Sequence, residues 1–248
     1  MNANSSIDPL QPISERNCPQ PAPKPNATPP PTSYQIDHYP APIDQHRAYR
    51  KLTPRCGTKC WRIHDVSREF ALRRQTEAFI HKQYSGVHSA NISTFLPNLF
   101  AISDGSQMLG AVGLKGFDEE TAFVEQYLDS PVEATIRQTM DINPVRSKLV
   151  EVGNLAAKTI NDAIRIIAFL CYETHSRGFD YAIFTGIQSV RVALRRLHIN
   201  FVEIQTADPL KLNTDIKPWG RYYDNDPRVM IVDVTYAAAT VATIFGIE

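Results

Sequence analysis

From about residue 59 onward, apolar residues recur with the two periods that secondary structure imposes on a chain. Apolar positions three and four apart predict helices, whereas alternating or short continuous apolar runs predict strands. Glycine, proline and Asp-Gly pairs separate the segments. In the first half, the pattern predicts a strand at Lys59–Ile63, a helix that Asp65 or Ser67 caps and Gly86 ends, a hairpin of Leu99–Ser103 and Met108–Leu114 around Asp104-Gly105, an extended segment at Ala122–Tyr127 and a helix at Pro131–Thr139. In the second half, it predicts a strand at Leu149–Leu155, a helix that Asn161 or Asp162 caps, a strand at Tyr181–Thr185, a helix at Gln188–His198, and strands at Phe201–Ile204 and Arg228–Tyr236.

The order of these segments predicts a mixed α/β sheet with helices on both faces. Its second half reads strand, helix, strand, helix, strand, which is typical of a βαβ core with right-handed crossovers. The strand Leu149–Leu155 carries Gly153 near its end, and a glycine inside a strand favours a β-bulge. The order is similar to that of the N-acetyltransferase (GNAT) fold. This resemblance implies that the fourth strand splays from the fifth and opens a slot for a pantetheine arm.

The first 58 residues have a different composition from the rest of the chain. Of the 18 prolines, 12 fall within residues 1–54, and none of the 11 glycines precedes Gly57. The run from Pro19 to Thr32 can neither continue a helix nor donate a regular strand ladder. We therefore expect residues 1–58 to be a proline-rich disordered leader and residues 59–248 to form one GNAT-like domain. Recognition of the prolines by a partner is the alternative to a plain tail.

Composition and charge exclude several classes of function. The 26 basic residues balance the 26 acidic ones, so the chain lacks the cationic excess of a nucleic-acid-binding domain. Residues 234–247 are uncharged but too few for the roughly 20 apolar residues of a bilayer span, so stable membrane insertion is not expected. No secretory signal pattern precedes the domain, which favours a cytoplasmic location. Cysteine and histidine spacings predict no metal site.

Four blocks of residues together resemble a known family, the thermostable hemolysin family, over about residues 60–235. The blocks are FVEQYLDSPVE at Phe123–Glu133, VEVGNLA at Val150–Ala156, FTG..SVR..LRRL from Phe184 to Leu197, and AD...L followed by WGRYYDNDPRV from Ala207 to Val229. The family name records a hemolysis phenotype, while its fold looks like that of acyltransferases and acyl-homoserine-lactone (autoinducer) synthases. The resemblance implies acyl transfer from a thioester.

The VEVGNLA strand is the first candidate for the reaction site. A bulge at Gly153 would free backbone N–H groups to bond a thioester carbonyl or the amides of a pantetheine arm, which makes Val152, Gly153, Asn154 and Leu155 candidate binding residues. By analogy with the acidic residue on this strand in autoinducer synthases, Glu151 could be the general base for an amine. The alternative is a structural carboxylate bonded to loop amides.

A second candidate is the acidic series Glu125, Asp129 and Glu133. Spacing of four would align the three carboxylates if the segment were helical, and neighbouring carboxylates raise one another's pKa. Such a patch would suit a cationic or amine-bearing substrate, and a solvated acidic face is the alternative. Glu125 follows an apolar run at the expected end of a strand, so it is the second candidate base.

The segment after the VEVGNLA strand departs from the GNAT pattern. It contains no glycine, and Asp162 would place negative charge where a cofactor phosphate would lie. Lys158 and Thr159 could still hold one phosphate. An acyl carrier protein therefore becomes a credible donor beside acyl-CoA.

The helix after the fifth strand lacks the tyrosine acid common in GNAT enzymes. Arg191, with Arg195 and Arg196, could instead face an acidic carrier or a phosphate, although a solvated helix face is the alternative. Tyr222 or Tyr223 could replace the missing acid, with Trp219 as a binding residue beside them. These aromatic residues could equally cap the end of the core.

The sequence thus predicts an acyltransferase-like protein that moves an acyl group from acyl-CoA or an acyl carrier protein to a small-molecule amine. No metal and no nucleic acid are expected. One competing hypothesis is a membrane-perturbing cytolysin, which the apolar tail Ala237–Ile247 favours. A catalytically inactive GNAT-fold binding module is a third, favoured by the missing glycine loop and helix tyrosine.

Overall fold

The computed structural model describes residues 61–67, 69–118, 121–213 and 216–245. The predicted leader lies outside these ranges. The elements are β1 (Arg62–Asp65), α1 (Phe70–His88), β2 (Asn98–Ser103), β3 (Met108–Gly116), a 3-10 helix (Phe123–Tyr127), α2 (Val132–Met140), β4 (Leu149–Ala157), α3 (Ile160–Ser176), β5 (Tyr181–Gly186), α4 (Gln188–Arg196), β6 (Val202–Thr206), β7 (Arg228–Asp233) and α5 (Val234–Phe245).

Within the described residues, seven strands form one mixed sheet in the order β1-β2-β3-β4-β5-β7-β6. The first four strands pair antiparallel with their neighbours, whereas β4 and β5 pair parallel. Strand β7 lies antiparallel between β5 and β6. Helix α3 connects the parallel pair, as a parallel connection requires. The predicted mixed sheet and its Asp104-Gly105 hairpin are confirmed.

Apolar side chains cover both faces of the sheet. One face packs on α3, α4 and α5, with Val150 and Phe169 in its core. The other face packs on α1, the 3-10 helix and α2, with Ile80 and Leu149 buried there. Helices on both faces were predicted and are confirmed. Because side chains alternate along a strand, each residue of β4 points to one of these two layers.

Strands β4 and β5 separate part-way along their length. Their register runs from Leu149↔Tyr181 to Glu151↔Ile183, although both strands continue beyond these residues. A bulge bends β4 at the same place, since Asn154 and the next residue lie opposite a single residue of β3. The predicted bulge is confirmed, with Asn154 itself in the left-handed region at φ 53°. The splay leaves a gap in the sheet just after Glu151.

The segment Ala122–Tyr127 is not extended, as the sequence predicted, but forms the 3-10 helix. Two carboxylates cap its first turn, because Glu151 accepts the amides of Phe123 and Val124 and Glu125 accepts the amide of Ala122. One of these caps comes from a residue 27 positions away along the chain. Local sequence pattern cannot reveal such a cap, so the prediction was wrong here.

Helix starts differ from the predicted caps. Helix α1 begins after Glu69 rather than at the proposed Asp65 or Ser67, and it continues past Gly86 to His88. At α3 the N-cap is Thr159, whose hydroxyl accepts the Asp162 amide while the Asp162 carboxylate bonds back to Thr159. The proposed capping residue Asp162 therefore acts as the third residue of a capping box.

The final strand ends earlier than predicted. Strand β7 stops at Asp233, whose carboxylate accepts the Tyr236 amide at 2.8 Å and so starts helix α5. Residues 234–236 are helical because this cap is available at Asp233. None of the helices in the described ranges has both the length and the apolarity to cross a membrane.

Candidate active site

Glu151 lies at the point where β4 leaves β5, and its side chain faces the layer of α1 and the 3-10 helix. It is 5% exposed, and its two oxygens accept the amides of Phe123 at 3.0 Å and Val124 at 2.8 Å. Burial raises the pKa of the Glu151 carboxyl, and the two amide hydrogen bonds only partly oppose this effect. Glu151 therefore has the structural role that the sequence offered as the alternative, a carboxylate bonded to backbone amides. A raised pKa also makes this carboxylate a better proton acceptor near neutral pH.

Glu125 is paired with Arg146, and this pairing separates it from the other carboxylates of the acidic series. The guanidinium binds both Glu125 oxygens, at 2.9 and 2.8 Å. Burial raises the pKa of the Glu125 carboxyl, but Arg146 and the Ala122 amide lower it further, so the net shift is downward. A lowered pKa and a bound cation make Glu125 a weaker base than Glu151.

The predicted acidic patch is not one helical face, because the chain extends between the 3-10 helix and α2. Glu133 contacts Arg146 at 3.1 Å and shares it with Glu125. Asp129 points away, where it is 81% exposed and pairs with Lys211 at 2.5 Å. The aligned series of three carboxylates was therefore a wrong prediction, since a single arginine neutralises two of them and a lysine the third.

Replacement of Arg146 by glutamine is expected to destabilise the fold by about 1–2 kcal/mol at neutral pH, because Glu125 would keep its charge without a cation. The depressed pKa of Glu125 contributes stability above the unfolded value near 4.5, and this is lost as the pH falls. The difference from wild type should therefore shrink below about pH 4.5. Urea denaturation at pH 7 and pH 3.5 measures it, with Arg137→Gln as control. Equal stability of both proteins at pH 7 would contradict the pairing.

A cluster of aromatic rings lies beside the gap, on the Glu151 side of the sheet. We call it the aromatic cluster; its members are Tyr84, His88, Phe123, Tyr127, Trp219, Tyr222 and Tyr223. Phe123, whose amide Glu151 binds, lies 5.6 Å from Trp219, and Trp219 lies 5.4 Å from Tyr222. The cluster thus joins the predicted base to both predicted tyrosines.

The two tyrosines have different surroundings. The Tyr222 hydroxyl donates to Thr185 on the separated part of β5 at 3.5 Å, and burial raises the pKa of Tyr222 to about 12. The Tyr223 hydroxyl lies 2.7 Å from that of Tyr127, and burial raises its pKa as well. Both phenols stay protonated at neutral pH, so each can donate a proton.

The turn that carries Trp219 and Tyr222 is fixed to the C-terminal end of α1. Arg221 donates its amide to the His88 carbonyl at 2.7 Å, and Asn91 donates its amide to the carbonyl of Pro218. Gly220 has φ +53° and ψ −122°, a conformation that residues with a Cβ rarely adopt. The glycine is therefore required for the close approach of this turn to α1.

An apolar cleft opens on the opposite face of the same gap. It lies between the separated strands and helices α3 and α4, with a volume of about 50 Å³. Val152 and Leu155 from β4 and Phe184 from β5 line it, as does Cys171 from α3. Burial raises the pKa of the Cys171 thiol to about 12, so this residue is an apolar wall rather than a nucleophile.

The residues proposed to hold a phosphate are already engaged. The Thr159 hydroxyl and amide both bind Asp162 in the capping box. Lys158 is the exposed residue after β4, and its ammonium donates to the Gln107 side chain at 2.5 Å. The Asp162 carboxylate occupies the start of α3, where GNAT-like chains were expected to bind pyrophosphate.

Arg191 is not part of an exposed basic stripe, contrary to the prediction. It is 6% exposed, and its guanidinium donates to the carbonyls of Gly186 and Asp226 and to Gln188. Only Arg195 and Arg196 of the proposed three are exposed. Arg191 therefore fixes α4 to the turn before β7, which removes the basis for a role in binding the donor.

The structure brings Trp219, Tyr222 and Tyr223 together in the aromatic cluster, and Glu151 is linked to this cluster through the Phe123 amide. Gly153 and Asn154 lie at the bulge of the same strand. Asn154 accepts the Leu96 amide at 2.8 Å and so holds the loop after α1 over β4. The sequence prediction missed Tyr84, His88, Tyr127 and Thr185. The spacing of four between Tyr84 and His88 on one helix was the available signal, but nothing local connects them to residue 222.

The family model for "Thermostable hemolysin" matches residues 66–238. The chain belongs to the thermostable hemolysin family. None of the curated proteins matches the chain by sequence. Among the described residues, no group of three or more His, Cys, Asp or Glu side chains could hold a metal ion.

Solved structures share the fold. FeeM, an N-acyl amino acid synthase from uncultured soil microbes, is 11% identical with a TM-score of 0.51, over 75% of this chain and 96% of its own. TofI in an apo form is 12% identical with a TM-score of 0.46, over 76% and 97% of the two chains. An N-acetyltransferase from Staphylococcus aureus Mu50 is 7% identical with a TM-score of 0.44, over 71% and 98%. The fold of the chain is GNAT-like.

Proposed function

We propose that this protein transfers an acyl group from a thioester, carried by coenzyme A or by an acyl carrier protein, to a small-molecule amine. One observation carries the proposal. The pairing of β4 with β5 stops at Glu151, so a buried carboxylate and an apolar cleft lie on the two faces of one gap in the sheet. An amine and an acyl chain can approach the gap from opposite faces.

The separated strands supply groups for the thioester. Beyond Glu151, no strand of the described residues pairs with β4 or β5 across the gap, so we propose that their backbone groups bond the amides of a pantetheine arm. The bulge at Gly153 and Asn154 adds N–H groups that can stabilise the negative charge on the thioester oxygen in the transition state. Val152 and Leu155 face the apolar cleft, which suits the hydrocarbon part of the acyl group.

The proposed reaction needs one base and one acid. The amine nitrogen attacks the thioester carbon, a C–N bond forms, and the Glu151 carboxylate takes the proton that the nitrogen loses. The C–S bond then breaks, and the Tyr222 or Tyr223 hydroxyl donates a proton to the departing thiolate. The products are an amide and a free thiol, and water returns the proton from Glu151 to the tyrosinate.

Two observations support this division of roles. Glu151 has a raised pKa, whereas Glu125 is bound by Arg146 and has a lowered pKa. The Tyr222 hydroxyl contacts Thr185 on the separated part of β5, which places a proton donor beside the gap. FeeM, which shares the fold, is an N-acyl amino acid synthase, and its reaction joins an acyl group to an amine nitrogen.

The donor is proposed to be anchored through its pantetheine arm rather than through a phosphate at the start of α3. Asp162 occupies that helix start, and Thr159 is used in the capping box. An acyl carrier protein needs no pyrophosphate cradle, so we propose that a carrier-bound thioester is used at least as well as acyl-CoA.

Filling the apolar cleft is expected to weaken use of long acyl donors. Ala182 lines the cleft from β5, and Ala182→Leu adds three carbons to a space of about 50 Å³. The KM for a long-chain thioester should rise about tenfold or more, while the shortest donor is affected less. Ala239→Leu on the exposed side of α5 is the matched control. An equal change for short and long donors would contradict an acyl role for the cleft.

Thiol release tests the proposed function. The full chain would be incubated with acyl-CoA or acyl-carrier-protein donors of several lengths and a panel of amines, and free thiol would be measured over time. We expect release that requires both the protein and an amine. Absence of release with every donor and amine would reject the proposal.

A further inference from the structure

We propose that His88 is a positioning residue that fastens the turn Arg221–Asp226 to α1, and that protonation of its imidazole releases this turn and the tyrosines on it. The inference deepens the proposed function, because it concerns the regulation of the proposed site by pH. Only the effect on catalysis, in which the tyrosines act as acids, rests on the proposed function. The fastening itself follows from the contacts of His88.

His88 is a buried polar side chain without a role in the proposed reaction. It is the last residue of α1 and is 7% exposed. Its ring packs edge-on against Tyr84 at 5.9 Å and against Tyr222 at 5.4 Å. An apolar ring would fill the same space, so the contacts of the imidazole nitrogens must explain a histidine here.

The hydrogen bonds of Asn225 assign the protonation state of His88. The Asn225 amide nitrogen donates to the carbonyl of Arg221 at 2.9 Å and lies 3.4 Å from that of Tyr222. Two carbonyl oxygens fix the NH2 group on this side, because the amide oxygen would be repelled there. The same nitrogen lies 3.4 Å from His88 Nδ1. Because an NH2 group only donates, this contact is a hydrogen bond when His88 Nδ1 accepts, which requires a neutral ring with the proton on Nε2.

Protonation would break this arrangement. An imidazolium carries a hydrogen on both nitrogens, so Nδ1–H would face the Asn225 NH2 group, donor against donor. The titratable and charged groups that face the ring are Tyr84 from α1 and Arg221 and Tyr222 from the turn. Among the residues that the structure describes, no carboxylate faces the ring to stabilise the cation. Burial lowers the pKa of His88 below its ordinary value of 6.5, and the positive charge of Arg221 lowers it further. A lowered pKa agrees with a neutral ring.

Release of the Asn225 contact would affect the proposed acids directly. Asn225 bonds the carbonyls that precede Tyr222 and Tyr223, and the His88 ring is one wall of the Tyr222 position. Acidification through the His88 pKa should therefore move Tyr222 away from Thr185 and disturb the neighbouring Trp219. A neutral His88 keeps the proton donor at the gap.

Trp219 fluorescence reports this release without any substrate. The chain has two tryptophans, so Trp61→Phe leaves Trp219 as the single emitter in the full-length protein. Between pH 8 and pH 5 we expect an emission change with a midpoint below 6.5. Addition of His88→Phe, which keeps a ring but removes the acceptor, should abolish the change. His175→Phe is the control, since His175 is an exposed histidine on α3 and not on the helix that holds the turn.

Asn225→Ala provides a second variant in case His88→Phe fails to fold. It removes the partner of Nδ1 and leaves the imidazole in place, so emission at pH 8 should already match that of wild type at pH 5. A pH-dependent change that persists unaltered in His88→Phe, or wild-type emission in Asn225→Ala at both pH values, would overturn the proposal. A flat wild-type titration would overturn it as well.

Enzyme kinetics then connect the fastening to the reaction. Protonation of Glu151 lowers kcat in both proteins, so the effect of His88 is measured as the ratio of kcat in wild type to kcat in His88→Phe. As the pH falls, this ratio should decrease with the midpoint of the fluorescence change, by up to about tenfold per pH unit, while the KM for the thioester changes little. A purely structural role would lower activity equally at all pH values. If the fluorescence depends on His88 but no thioester is consumed, the fastening stands and the proposed function fails.

Discussion

Glu151→Ala is expected to lower the free energy of unfolding by about 2–6 kcal/mol and to abolish acyl transfer. The substitution removes the acceptor of two amides at the start of the 3-10 helix, those of Phe123 and Val124, and Val124 is 1% exposed. A buried donor without a partner costs about 1–3 kcal/mol. Urea denaturation measures the loss, and hydrogen exchange at these two amides should show the helix start opening.

Glu151→Gln separates the structural role from the chemical one. Because burial raises the pKa of Glu151, the fold accommodates the uncharged acid, and glutamine resembles that form with one acceptor oxygen and one donor. We therefore expect a change in stability below about 1.5 kcal/mol. Loss of the general base should lower kcat by about 10²–10⁴-fold. Glu77→Gln, a partly exposed glutamate on α1, is the control.

The raised pKa of Glu151 also determines how the stabilities of wild type and Glu151→Gln differ with pH. A carboxyl whose pKa is raised in the folded state stabilises the fold below its unfolded pKa and loses this contribution as the pH rises. As the pH falls from neutral, the free energy of unfolding of wild type should therefore rise relative to that of Glu151→Gln. If Glu151→Gln retains wild-type kcat, Glu151 only caps the 3-10 helix and is not the base.

Gly220→Ala is expected to displace the turn that carries Trp219 and Tyr222, with a loss of about 2–4 kcal/mol in stability. A Cβ at this position would lie 2.4 Å from the His88 carbonyl oxygen and 2.5 Å from that of Ser89. Both obstacles are backbone atoms, so no side-chain rotation relieves them. The positive φ adds strain to the clash.

The displaced turn should affect both fluorescence and activity. Trp219 would leave its contacts with Phe123 and Tyr222, so its emission should shift to the red, and kcat should fall at least about tenfold. Gly86→Ala is the matched control, because this glycine lies within α1 and a Cβ there meets nothing within 4 Å. The control should gain about 0.5–1 kcal/mol from helix propensity. Wild-type stability in Gly220→Ala would contradict the close contact with α1.

Much of the fold could be predicted from local pattern. Asp104-Gly105 between two apolar runs predicted the hairpin, and Gly153 inside an apolar strand predicted the bulge, because both signals depend on the conformational range of a few adjacent residues. The same strand placed Glu151 beside that bulge. These local rules sufficed for the sheet and for the position of the candidate base.

Other features depend on residues far apart in the chain, which one sequence does not connect. The 3-10 helix exists because Glu151 reaches back to the Phe123 amide, and its acidic residue Glu125 is neutralised by Arg146. Arg191 matched an exposed basic stripe by spacing, yet the carbonyl of Asp226 binds it in the interior. The only local signal for His88 was its spacing of four from Tyr84, which does not connect it to Tyr222. Each of these outcomes required the tertiary partner.

The most direct test of the account is mass spectrometric detection of an N-acyl product. The full-length protein would be given acyl-CoA or acyl carrier protein with an amine panel, and the same preparation would be added to erythrocytes with and without these substrates. We predict an amide product and stoichiometric free thiol, both lost in Glu151→Gln, with any lysis dependent on the product. Lysis by the protein alone, with no amide formed from any donor, would contradict the acyltransferase account and favour a membrane-perturbing cytolysin.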